Sequence, residues 1–349
     1  MPISTILPIG SLSMRDFLKS HFAVFPPAGR YARAALLSLS MLSAVQAAPL
    51  PAGAGGPTLT LQALRAAYSV PTGHITKIAG VDIYYTDEGS GPAILLCNGS
   101  SSSLRTWDGL VAALKGSYRI IRFDIPPGDL SGSIPPDLRA KLVPTDIPEG
   151  LLDQLHIKHV TGIGVSSGGT MVVQLAAKRP DLVERLILSN TPSDPVDTGP
   201  MVLSAALKRE TDIFKETGYR SQAYWNAFWD FFAGVPGRIP AATRQLFYDM
   251  NRRAPEPDPL GMAAKVADHA RSLQNFAAVH APVLLVWGER DPLLTPPSEK
   301  VLANYLTNTQ VSALLLPDVG HYPPIEVPVR FGQIVRDYIE IATPSPTSR

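Results

Sequence analysis

The chain has 349 residues, enough for one large α/β domain or two small ones, and 31 Lys and Arg stand against 30 Asp and Glu for a formal net charge of +1. No Lys/Arg cluster marks a nucleic-acid or anionic surface, so no nucleic-acid partner is expected. The single cysteine, Cys97, excludes an intrachain disulfide framework and any cysteine-built metal site. There is no P-loop, no H-E-x-x-H and no G-x-G-x-x-G after a strand, so neither metal nor cofactor is expected.

Residues 1–72 do not read as domain core. Arg30 and Arg33 precede the apolar run 34–43, and Ala44-Val45-Gln46-Ala47 closes it with small residues, the pattern of a secretory signal peptide cut after Ala47 or Ala48. The run is shorter than the roughly 20 residues of a membrane span, so no stable span is expected in the mature chain. An N-terminal anchor and an uncleaved amphipathic arm are the alternatives. The length ahead of Arg30 makes Met14 an alternative start, and there is no twin-arginine pair. Residues 1–47 are thus expected to be a leader to the periplasm or the medium, and 48–72 a linker with a short helix. Residues 49–57 are Pro/Ala/Gly-rich, and 60–69 carry Leu61, Leu64 and Ala67 at helical spacing.

Order begins with alternating strands at 75–78 and 81–86, joined at Ala79-Gly80 as a hairpin. Residues 93–97 form a continuously apolar strand, the kind buried on both faces of a parallel sheet, and end in the polar turn Asn98-Gly99-Ser100-Ser101-Ser102-Ser103. A strand at 119–124, a short helix at 149–155 and a strand at 160–165 follow. The last stops at Ser166 and restarts at once as a helix over 170–177, with Lys178 and Arg179 in its final turn and Pro180 as its stop.

The junction reads Gly164-x-Ser166-x-Gly168-Gly169, a nucleophile elbow. A serine at the tip of a strained strand-to-helix turn needs flanks without β-carbons, and Gly169 lets the helix approach its neighbours. The pattern turns up by chance in about one chain of this length in six, so its context matters. A strand follows at 186–189, then about 90 residues of helical periodicity with candidate helices at 201–215, 219–232, 241–252 and 260–273. Strands resume at 283–287 and 312–316, before a closing helix at 327–339 and a disordered tail at 343–349. Alternating strands and helices give a mostly parallel, doubly wound sheet, with core at 73–190 and 281–342 and a helical cap at 191–280.

Sites belong at the carboxyl ends of such strands. The Ser166 hydroxyl needs a base, and of seven histidines His321 sits in a loop after the last strand. His21, His74, His156, His159, His269 and His280 are less suitably placed. The imidazole needs an acid to orient it. Asp291, just after strand 283–287, is the best placed, with Glu289 and Asp194 as rivals. Cys97 reads as a buried strand residue rather than a rival nucleophile. In the cap, Tyr219, Tyr224, Trp225, Phe228, Trp229, Phe231 and Phe232 crowd one segment, either as packing or as the lining of an apolar pocket.

From about 73 to 341 the chain resembles the α/β-hydrolase superfamily, in its esterase, lipase and C–C hydrolase branch. The resemblance rests on Gly164-x-Ser166-x-Gly168-Gly169, Trp287-Gly288-Glu289-Arg290-Asp291-Pro292, and Gly320-His321 followed by Glu326-x-Pro328. It implies the α/β-hydrolase fold, with Ser166 as nucleophile, Asp291 as acid and His321 as base. It also implies an oxyanion hole from backbone N–H groups at Ser167 and in the Gly99-Ser100 turn. The expected activity is cleavage of small to medium apolar carboxylic esters. Lactonase, C–C hydrolase or perhydrolase activity on the same triad, or non-catalytic ligand binding, are the alternatives. Two departures stand out: Asn98 where the family usually has His, and the Pro-rich loop 129–147. If residues 1–47 are a cleaved leader, cut after Ala47 or Ala48, amino-terminal sequencing of the mature protein will begin at Ala48 or Pro49; a terminus upstream of Arg30 would contradict the leader.

Overall fold

The computed structural model describes residues 58–193, 201–254, 256 and 269–342. The expected leader, the 49–57 linker, His21, Asp194, most of the candidate helix 260–273 and the tail lie outside the described residues.

In chain order the elements are α1 (Leu61–Tyr68), β1 (Gly73–Ile78), β2 (Val81–Glu88), β3 (Ala93–Cys97), a 3₁₀ turn (Leu104–Trp107), α2 (Asp108–Leu114), β4 (Arg119–Phe123), α3 (Asp146–Gln154), β5 (Val160–Val165), α4 (Ser167–Lys178) and β6 (Val183–Ser189). Then come α5 (Ala205–Thr217), α6 (Gln222–Phe232), α7 (Ala241–Met250), α8 (His269–Ala277), β7 (Val283–Gly288), α9 (Pro296–Tyr305), β8 (Val311–Leu316), α10 (Pro323–Glu326) and α11 (Pro328–Ala342).

The eight strands form one sheet in the order β1-β2-β4-β3-β5-β6-β7-β8. The β1–β2 hairpin turns at Ala79 (φ 47°) and Gly80 (φ 85°), and β2 pairs antiparallel with β4. All pairings from β4 to β8 are parallel. The chain winds one way from β3 to β4 and the other way from β5 onward. The crevice between the carboxyl ends of β3 and β5 is therefore the topological switch point where ligands bind in such sheets. Every residue of β5 and β7 is buried, which explains their largely apolar sequences, Thr161 being the polar exception.

Capping chemistry sets the cap boundaries. Helix α5 starts after Ser204, whose Oγ accepts from Leu207 N at 3.3 Å, and ends at Gly218 with φ 69°. Helix α6 starts after Ser221, whose Oγ accepts from Tyr224 N at 3.0 Å. Both helices thus begin a few residues later than their apolar periodicity alone suggests. Helix α8 packs on α4 and α9 of the core.

A buried arginine ties the hairpin to the segment that leaves β3. Arg122 of β4 reaches Glu88 at 3.0 Å, Asp108 at 2.5 Å, the Leu104 carbonyl at 3.1 Å and Thr86 Oγ1 at 3.1 Å. Asp124, one residue beyond β4, accepts from Leu104 N at 2.8 Å and Leu130 N at 3.1 Å. Removing the guanidinium strands the largely buried Glu88 carboxylate, so Arg122→Ala should cost about 3–5 kcal/mol in urea unfolding. An unchanged midpoint would show the network to be dispensable.

Candidate active site

At the end of β5 the backbone turns sharply. Ser166 has φ 54° and ψ −131°, a conformation costly for a residue with a β-carbon, and is only 6% exposed. Its N–H donates to Ser189 O at 3.0 Å, and its carbonyl accepts from Gly169 N at 2.9 Å. A β-carbon at Gly164 would lie 2.5 Å from Gly168 and Gly169 backbone atoms, and one at Gly168 would overlap the Cys97 carbonyl. One at Gly169 would strike Thr191. The glycine spacing read from the sequence is thus a packing requirement.

Asp291 follows β7, and His321 follows β8. Their side chains, both buried, share a hydrogen bond of 2.6 Å between Asp291 Oδ2 and His321 Nδ1. Asp291 also accepts from Asn190 Nδ2 at 2.8 Å and from Leu293 N at 2.8 Å. Asn190 stands just past β6 with φ 40°, and its Oδ1 accepts from Gly288 N at 3.0 Å. Nothing in the sequence reading singled it out. Its only signal is its place at the strand end beside the acid strand. The imidazole takes Asp291 as its partner rather than Glu289. Of the other histidines, His159 meets Glu184 at 3.2 Å near the amino ends of β5 and β6, and His74 rests against Tyr85.

The His321 loop is held by a buried carboxylate. Glu326 Oε1 accepts from Gly320 N at 2.9 Å, and Oε2 accepts from Gly234 N at 2.8 Å, with Arg238 3.4 Å away. Burial pushes this carboxyl above the usual range despite those donors. The His321 backbone N–H donates to Phe232 O at 2.8 Å, so the end of α6 holds the main chain of the histidine loop.

The turn after β3 abuts the elbow: a β-carbon at Gly99 would press on Ser166 Cβ at 2.9 Å. Asn98, the departure from the family's usual His, is buried and donates through Nδ2 to Ser102 O at 2.7 Å and Gly99 O at 3.2 Å. Ser102 Oγ donates to Gly99 O at 2.9 Å, and Tyr322 Oη donates to Ser100 O at 3.0 Å. Burial, and to a lesser degree the Asp291 charge, raise the Tyr322 phenol and keep it a donor. Ser100 Oγ lies 2.9 Å from Ser167 Oγ, which joins the turn to the first residue of α4. Among the described residues no acceptor takes the Ser100 N–H, and the Ser167 N–H has no partner within its own helix. Two unsatisfied N–H groups beside Ser166, one at a helix N-terminus, favour a negatively charged oxygen.

The cap aromatics pack on this edge. Tyr224, Trp225, Phe228, Trp229 and Phe232 are buried, with Trp229 5.2 Å from the Tyr322 ring and Phe232 5.5 Å from the His321 ring. Phe231 and Tyr219 are half-buried, and the Tyr219 hydroxyl meets that of Tyr248 at 2.6 Å. Cys97 is fully buried and burial pushes its thiol up, away from the thiolate a nucleophile requires. Among the described residues no three His, Cys, Asp or Glu side chains converge as metal ligands.

The model of the alpha/beta hydrolase family matches residues 94–333. The chain is 24% identical over 301 residues to Lipase 1 of Psychrobacter immobilis, covering 84% of this chain and 91% of that one. It is 25% identical over 265 residues to a pimeloyl-[acyl-carrier protein] methyl ester esterase of Nitrosospira multiformis, covering 73% and 98%. The enol-lactonase structure from Burkholderia xenovorans LB400 superposes with a TM-score of 0.59 at 24% identity, over 76% of this chain and all of that one.

Replacing Glu326 by Ala leaves two buried N–H groups without acceptors, so unfolding stability should fall by about 2–4 kcal/mol. A midpoint within error of the parent's would contradict that role.

Proposed function

The chain belongs to the alpha/beta hydrolase family, and from that premise we propose that it is a serine hydrolase of small to medium apolar carboxylic esters, working through Ser166, His321 and Asp291. The observation that carries this reading is the buried 2.6 Å Asp291–His321 hydrogen bond, set at the same sheet edge as the strained Ser166 elbow. With Nδ1 engaged by Asp291, the imidazole keeps Nε2 as the basic nitrogen.

In the proposed cycle His321 takes the Ser166 proton as Oγ attacks the ester carbonyl. The oxyanion that forms lies against the N–H groups of Ser100 and Ser167. Collapse breaks the bond to the leaving alcohol, which takes the proton from His321. Water, deprotonated by the same imidazole, then attacks the acyl-enzyme. Collapse breaks the Ser166 Oγ–acyl bond, returns the proton from His321 to Ser166 and releases the carboxylic acid.

Ester substrates are favoured by the names of the lipase and methyl ester esterase relatives. On p-nitrophenyl esters of graded acyl length, Ser166→Ala and His321→Ala should each lower turnover by about four to six orders of magnitude. Turnover that survives Ser166→Ala would contradict the nucleophile. Preference for lactones, for C–C substrates or for perhydrolysis in the same panel would replace the ester assignment while keeping the triad.

A further inference from the structure

The carbonyls of the turn after β3 are almost all claimed by side-chain donors. Gly99 O takes Asn98 and Ser102, Ser100 O takes Tyr322, and Ser102 O takes Asn98. All these donors come from the core. Ser103 O accepts from Thr106 N at 2.9 Å, whereas Ser101 O accepts from Asn251 Nδ2 at 2.9 Å, and Asn251 belongs to the end of cap helix α7. Ser101 is also the residue of this turn with φ in the left-handed region, at 62°, where a serine is held only by its surroundings.

Asn251 is itself fixed on several sides. The same Nδ2 donates to Phe247 O at 2.8 Å in the last turn of α7. One residue on, Arg252 O accepts from Leu59 N at 3.0 Å, and Leu59 bridges to Arg253. The Arg253 guanidinium donates to the carbonyls of Gly128 and Asp129 at 3.2 Å and of Ser131 at 2.5 Å. Tyr68 of α1 hydrogen-bonds Asp249. The segment entering the core and the loop after β4 thus clamp the end of α7, and α7 reaches across to the turn beside Ser166.

We infer that Asn251 is a positioning residue for the oxyanion turn: the cap, through this one amide, holds Ser101 in its left-handed conformation and keeps the Ser100 N–H turned to the reacting carbonyl. The inference rests on the serine-hydrolase reading above. Seating the cap then completes the electrostatic site as well as covering it. Asn251→Asp keeps the shape but replaces the donating amide by an acceptor.

The test compares an oxoester with its thionoester, whose carbonyl sulfur accepts hydrogen bonds poorly and so reports on the oxyanion donors. Asn251→Asp should lower kcat on the oxoester by about ten- to a hundredfold, with KM within about threefold of the parent. The thionoester should lose much less, so the ratio of the two rates should fall. Adding Ser101→Gly, which adopts the left-handed conformation without help, should recover most of the loss. Asn251→Ala serves as the second variant if the Asp form does not fold. Oxoester and thionoester rates that are both unchanged, or that fall together with no recovery from Ser101→Gly, would overturn the inference. Parent turnover that survives Ser166→Ala would instead remove the serine-hydrolase reading, and this inference with it.

Discussion

The carboxyl edge of the sheet depends on how closely the first turn of Ser167–Lys178 approaches the strands beneath it. Gly164, Gly168 and Gly169 make that approach possible, because a β-carbon at any of them would collide with Gly168, Cys97 or Thr191. The approach forces Ser166 to φ 54°, a strain of about 1–3 kcal/mol that only a rigid surround can hold. The surround is a fully buried β5 and a helix whose first ten residues are all buried. The same contact brings Ser167 Oγ within 2.9 Å of Ser100 Oγ in the turn after β3. One packing constraint therefore places the serine, the helix N-terminus and the neighbouring turn together.

A second level of organisation rests on buried carboxylates that accept from backbone and side-chain donors. Asp291 accepts from His321, Asn190 and Leu293, which fixes its plane and so the imidazole's orientation. Glu326 accepts from Gly320 on the histidine loop and from Gly234 beyond the cap helix. Phe232 O takes the His321 N–H, and Arg290 reaches Gly234 O at 3.0 Å. The imidazole is thus held by Asp291 from the sheet, while the main chain that carries it is tied to the end of Gln222–Phe232. Substitutions near Phe232 can therefore shift the His321 loop from outside it.

Much of this edge was legible in the sequence. A strand buried on both faces is mostly apolar, so β3, β5 and β7 stood out, and the residues that follow them fell at one sheet edge. Cap helices were legible as periodicity, but their starts were shifted by Ser204 and Ser221, whose caps count for more than the apolar spacing. The helices Asp108–Leu114 and Pro296–Tyr305 were not foreseen. Asn190 and Asn251 were illegible as organisers for another reason. Their partners lie 101 and 150 residues away in the chain, so only the fold makes their polar groups meaningful. The same holds for the bond from Glu326 to Gly234, 92 residues off, though Glu326 itself stood in the motif after His321. Asn98 was visible as a departure from the usual histidine, but its use of Nδ2 to tie two carbonyls of its own turn was not.

The central claim is that Ser166 is a nucleophile activated by His321. Intact-protein and peptide mass spectrometry after exposure to a fluorophosphonate tests it most directly. One adduct per chain, on the peptide carrying Ser166, lost on heat denaturation before exposure and strongly slowed in His321→Ala, is the predicted result. No adduct on the folded protein, or one that forms at Ser166 equally well without His321, would contradict it.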